Sequence, residues 1–180
     1  MRHRSRRTRA IFRHIKVFSV TIASCCLLLA MLGHAEVPPY DVPERTDLEL
    51  LGATREACEA ARAQSQPLLL EFTAAWCSDC RALDKLKQEP KLAQALARYR
   101  QLAINVGRFD RHPTLLQSFG VRAIAYWVIV APRDCSTPPY VWPRIASRTL
   151  EPATGTPVRS DELASWLDTQ RGLATRDDGS

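Results

Sequence analysis

The stretch Leu68-Leu-Leu-Glu-Phe-Thr-Ala-Ala-Trp-Cys-Ser-Asp-Cys80 decides the fold. A short apolar run rich in strand-compatible residues feeds directly into two cysteines three positions apart. The following Arg81-Ala-Leu-Asp-Lys-Leu-Lys87 consists mostly of strong helix formers. The spacing predicts strand, Cys-x-x-Cys, helix. A cysteine in the first turn of a helix faces unpaired backbone N–H groups and the positive end of the macrodipole. Cys77 is therefore expected to form a stabilised thiolate, the reactive species. Cys80, one turn on, is placed to attack a mixed disulfide at Cys77. The unit reads as a two-cysteine redox switch with a Cys77–Cys80 disulfide as its oxidised form. A zinc site would need a second ligand pair of similar spacing, and neither Cys58 nor Cys135 has a nearby Cys or His.

Working outward, the basic residues are unevenly placed. The first 35 residues carry seven (Arg2, Arg4, Arg6, Arg7, Arg9, Arg13, Lys16) and no acidic residue, and without them the formal charge of +6 becomes −1. The basic balance belongs to this leader, so a nucleic-acid footprint on the remainder is not supported. Val17–Gly33 is apolar apart from Ser19, Thr21 and Ser24, and it ends in Gly33-His34-Ala35. This is the order of a secretory signal, read as residues 1–35. An apolar run at the lower limit of a membrane span also allows an uncleaved inner-membrane anchor. Ile22-Ala-Ser-Cys25 has the look of a lipidation signal, but apolar sequence continues beyond Cys25. Ser5-Arg6-Arg7 resembles a twin-arginine start, with Arg9 standing where an apolar residue is expected. Each reading exports the chain to an oxidising compartment, the periplasm, where disulfide chemistry is sensible.

Residues 36–53 read as an arm containing Pro38, Pro39 and Pro43, and 54–171 as the folded domain. Thr54 is the expected N-cap of a first helix reaching Gln64. Strand Leu68–Thr73 comes next, followed by a helix over Cys77–Gln88 and a further helix opening at Pro90. A second strand spans Arg100–Val106, with a short helix over Pro113–Phe119. A buried strand is expected over Ile124–Val130, an irregular loop over Pro132–Pro143, an edge strand over Ile145–Leu150 and a capped helix from Ser160. Residues 172–180 read as a disordered tail.

The block Trp76-Cys77-x-x-Cys80 behind an apolar strand resembles the thioredoxin family, in particular periplasmic domains like the C-terminal domain of DsbD-type thiol:disulfide interchange proteins. The resemblance covers about Thr54 to Gln170. It implies an α/β three-layer sandwich with a central mixed sheet of about four strands flanked by helices. It also implies a thiol:disulfide oxidoreductase that reduces periplasmic protein disulfides, needs no cofactor or metal and draws electrons from an unidentified membrane or periplasmic donor. Glu71 lies where thioredoxins carry a buried acid beneath the cysteines. There, burial would favour its neutral form and let it accept the Cys80 proton. Alternation between Leu70 and Phe72 also permits an outward glutamate. Trp76 and Tyr126 are candidates for the partner-binding surface, and core packing is the alternative for both. In Val121-Arg-Ala-Ile-Ala-Tyr126, Ala125 stands where the family has a cis-proline. A cis bond before a non-proline residue costs about 2.5–4 kcal/mol, so a trans bond and altered peptide recognition are expected.

Cys58 and Cys135 complete an even count of four beyond the leader, which permits a second bridge. Their expected positions, at opposite ends of the sheet, argue against it. Cys58 then reads as a small buried apolar residue and Cys135 as an exposed thiol or intermolecular partner. The second functional reading is a non-catalytic module that binds a protein partner or a soft metal such as Cu(I) through the two thiolates. Beyond the leader the chain has no methionine, and His112 is its one histidine, so redox exchange is favoured.

Overall fold

Helix α1, Asp47–Ala63, begins with a capping box. The Thr46 hydroxyl accepts from the Glu49 N–H, and the Glu49 carboxylate accepts from the Thr46 N–H at 2.7 Å. Thr54, the expected cap, instead sits buried inside α1 and donates its hydroxyl to Leu51 O at 3.0 Å. The earlier start wins because Thr46 and Glu49 satisfy two orphan donors reciprocally, while Thr54 lies on the face that packs inward with Leu50, Ala57 and Ala61. The computed structural model describes residues 41–151 and 158–174. The leader, Cys25, the front of the arm and the tail beyond residue 174 lie outside them.

The remaining elements follow in order. They are β1 (Leu68–Thr73), α2 (Ser78–Leu86), α3 (Pro90–Leu96), β2 (Arg100–Asn105), α4 (Pro113–Phe119), β3 (Tyr126–Val130), a 3-10 turn (Pro139–Val141), β4 (Arg144–Thr149) and α5 (Ser160–Ala174). The arm at 36–53 and the domain start at 54 are thus corrected. Residues 47–53 are helical. The helix also continues past 171, to Ala174.

The sheet order is β2-β1-β3-β4. β1 runs parallel to β2 and antiparallel to β3, and β3 runs antiparallel to β4. Every residue of β1 is buried, as expected of a central strand covered on both faces. Each of its large apolar side chains contributes roughly 1.5–3 kcal/mol of transfer free energy. Helix α1 packs on β1 and β2, while α3 packs on α5, which also meets β4. This is the mixed α/β sandwich expected, with five helices among the described residues.

The topology overturns the expectation for Cys58 and Cys135, which are joined in a disulfide with Cα atoms 5.6 Å apart. With α1 starting at Asp47, Cys58 falls in its second half, near the turn that leads into β1. Because β3 runs antiparallel with Val130 opposite Leu68, the loop after β3 emerges at that same end of the sheet. Both cysteines therefore lie at the edge remote from Cys77.

Candidate redox site

β1 and β2 are parallel with Thr73 opposite Asn105, and Phe72 lies opposite Tyr126 at the start of antiparallel β3. Three loops consequently leave one edge of the sheet together: 74–77, 106–112 and 120–125. The first ends in Cys77, and Cys80 follows in the first turn of α2.

Cys77 is the N-cap of α2, and its sulfur accepts a hydrogen bond from the Cys80 N–H at 3.0 Å. The two cysteines form a disulfide with Cα atoms 5.3 Å apart. The helix starts one residue later than expected and ends at Leu86 instead of Gln88, which places Cys77 beside the first free N–H groups. Those donors stabilise a sulfur anion when the bond is reduced. Both sulfur-bearing residues are buried. Asp79 is also buried, at 6 % exposure, between the two cysteines.

Glu71 points inward, with 3 % exposure, which resolves the ambiguity left by alternation. Its two carboxylate oxygens accept from Lys87 Nζ at 3.1 and 3.0 Å. Lys87 also meets Asp84 at 3.2 Å. Burial alone would lower the Lys87 pKa, but Glu71 first and Asp84 second outweigh it, and the pKa is raised. The ammonium thus stays charged through the neutral range. Sequence reasoning missed Lys87, a lysine one residue past a helix end, because only the tertiary structure brings it to Glu71.

Trp76 is 47 % exposed, and its indole N–H donates to Gly107 O at 2.7 Å. It belongs to the surface and not to the core. Tyr126 is half-buried, its hydroxyl donating to Phe119 O at 3.5 Å, and its ring lies against Phe72. Trp127 beside it is a core residue, stacked with Trp166.

Ala125 is fully buried, so its side chain offers nothing to a partner. The Ile124–Ala125 peptide is cis, contrary to the trans bond expected. The loop is held from outside: Ala125 O accepts from the Leu150 N–H at 2.8 Å, a contact with the far end of β4 that local sequence does not reveal.

His112 is buried and contacts Asp47 through Nδ1 at 2.6 Å, tying the start of α4 to the first turn of α1.

A family model described as thioredoxin-like matches residues 49–126. Among solved structures, a disulphide isomerase from Xylella fastidiosa Temecula1 is 23% identical, covering 72% of this chain and 97% of its own, with a TM-score of 0.52. The oxidised C-terminal domain of DsbD from Neisseria meningitidis is 20% identical, covering 72% of this chain and 100% of its own, with a TM-score of 0.49. A thioredoxin from Thermus thermophilus is 17% identical, covering 67% and 83%, with a TM-score of 0.46. The search of curated proteins finds no match. The chain has a thioredoxin-like fold, and its residues 49–126 are similar to the thioredoxin-like family.

Proposed function

We propose that this protein is a thiol:disulfide oxidoreductase that reduces disulfides of other proteins in the periplasm. The observation that carries the reading is the Cys77–Cys80 disulfide at the N-terminus of α2, at the sheet edge where three loops meet.

The reaction starts from the dithiol. The Cys77 thiolate attacks one sulfur of a partner disulfide, forming a mixed disulfide and expelling the other partner sulfur as a thiolate. Cys80 then loses its proton and attacks Cys77, releasing the second partner thiolate and closing Cys77–Cys80. The partner gains two electrons and the protein loses two. A dithiol of a donor protein returns them by the reverse exchange. Glu71 is the proposed acceptor of the Cys80 proton, with Lys87 holding its carboxylate in place beneath the helix.

The reducing direction follows the resemblance of the Trp76-Cys77-x-x-Cys80 block to DsbD-type thiol:disulfide interchange domains. The exported location rests on the basic, apolar and small-residue order of residues 1–35.

The test is reduction of insulin by the purified protein with a dithiol donor, alongside trapping in cells. Cys80→Ser should accumulate mixed disulfides with periplasmic proteins, and Cys77→Ser should not. Trapping by Cys77→Ser alone would reverse the roles. No insulin reduction by the intact protein would overturn the enzymatic reading, and partners drawn only from the cytosol would overturn the compartment.

A further inference from the structure

We propose that Phe109 is a specificity-determining residue for this exchange: with Trp76 it forms the face that receives a bulky apolar side chain next to the cysteine of a protein substrate. The proposal rests on the exchange reading above and adds to it the class of segment selected.

The position comes from topology. Trp76 is the residue before Cys77, and Phe109 lies four residues past Asn105, which is opposite Thr73. Their rings form a tilted pair with centroids 6.3 Å apart. Phe109 is 38 % exposed and Trp76 more so, whereas Phe72, Phe119 and Trp127 are all buried. The aromatic pair therefore faces solvent on the flank of the disulfide opposite the Ala125 loop, since β2 and β3 lie on opposite sides of β1.

The backbone at Phe109 is what makes this more than a stray surface aromatic. Its φ is +66°, in the left-handed region where a bulky side chain is a genuine outlier and glycine, asparagine or aspartate is at ease. Full burial of the ring does not offset that cost. Residues kept in such conformations cluster where a surface has work to do.

The loop around Phe109 is firmly built. Its N–H donates to Val106 O at 2.9 Å, the Asn105 side chain accepts from the Gly107 N–H at 2.9 Å, and Asp110 accepts from the Arg108 N–H at 2.9 Å. Gly107 has φ +58°, and a Cβ there would meet Asp110 Oδ1 at 2.1 Å. Its carbonyl fixes the Trp76 indole. Two aromatic rings held in place before a partner arrives lose little freedom on binding, and aromatic anchors of this kind dominate contact energies.

Phe109→Gly removes the ring while suiting the backbone, so the variant should fold at least as well. Its steady-state kinetics are read on two disulfide peptides that differ only in Leu or Ser beside the cysteine, and on hydroxyethyl disulfide. The expected result is a roughly fivefold rise in KM for the Leu peptide, with its kcat, the Ser peptide and hydroxyethyl disulfide unchanged. Phe109→Tyr should restore the preference. Equal effects on both peptides, or none on either, would overturn the docking role. Failure of the unaltered protein to turn over hydroxyethyl disulfide would instead strike the exchange reading itself, and the docking role with it.

Discussion

Lys87 is the charge that lets Glu71 sit inside the sheet. A lone carboxylate at that depth would cost several kcal/mol of desolvation, and both of its oxygens are taken by one ammonium. The Lys87 pKa is raised, so its contribution to stability is complete below the ordinary lysine value of 10.5 and is lost as the pH climbs through the higher folded value. Across the neutral range the pair is intact. Lys87→Met should destabilise the fold at pH 7 by about 2–3 kcal/mol, toward the lower end for a broken buried pair, because the lysine keeps some solvent contact. Urea denaturation at pH 7 checks the cause, and Lys87→Arg should recover most of the deficit. An equal deficit in Lys87→Arg would mean that lost packing, not the stranded carboxylate, is responsible. Glu71 itself was recognisable through the resemblance to thioredoxins, which carry a buried acid there. Its partner was not, since a lysine ten residues beyond Cys77 in sequence is drawn to the strand only by packing.

Helix α1 shows what the sequence pattern conceals at the level of elements. The signal for its start was present as Thr46-x-x-Glu49, a capping box, but the preceding prolines suggested an arm and Thr54 offered a rival cap. Thr46→Ala should cost about 1 kcal/mol, read as a lower urea midpoint with an unchanged slope. Thr46→Ser should be close to neutral. An equal loss from both substitutions would point away from the cap hydroxyl. The other elements, from α2 to the start of α5, fall within a residue or two of their sequence expectations, because prolines at Pro90 and Pro113 and the apolar runs of β1 and β3 mark them locally.

For the whole molecule, the Cys58–Cys135 bridge joins α1 to the loop after β3 across 77 residues of sequence. In the chain-entropy view, a closed loop of that length restricts the unfolded chain by about 4.5 kcal/mol. Replacing both cysteines with alanine should lower stability by about 2–4 kcal/mol, measured by urea denaturation, while insulin reduction by the folded variant stays near the original rate. A loss of activity in the folded variant would show that the bridge shapes the redox edge as well as the far edge. The sequence by itself determined the strand, Cys-x-x-Cys, helix unit and the Cys77/Cys80 pair, because these depend on periodicity and on spacings of a few residues, and its resemblance to thioredoxins implied the fold. Tertiary structure alone decided the second bridge, the cis Ile124–Ala125 peptide, the Lys87 partner of Glu71 and the exposed Trp76–Phe109 pair. Each of those is a meeting of segments far apart in the chain, set by which strand lies beside which and in which direction it runs.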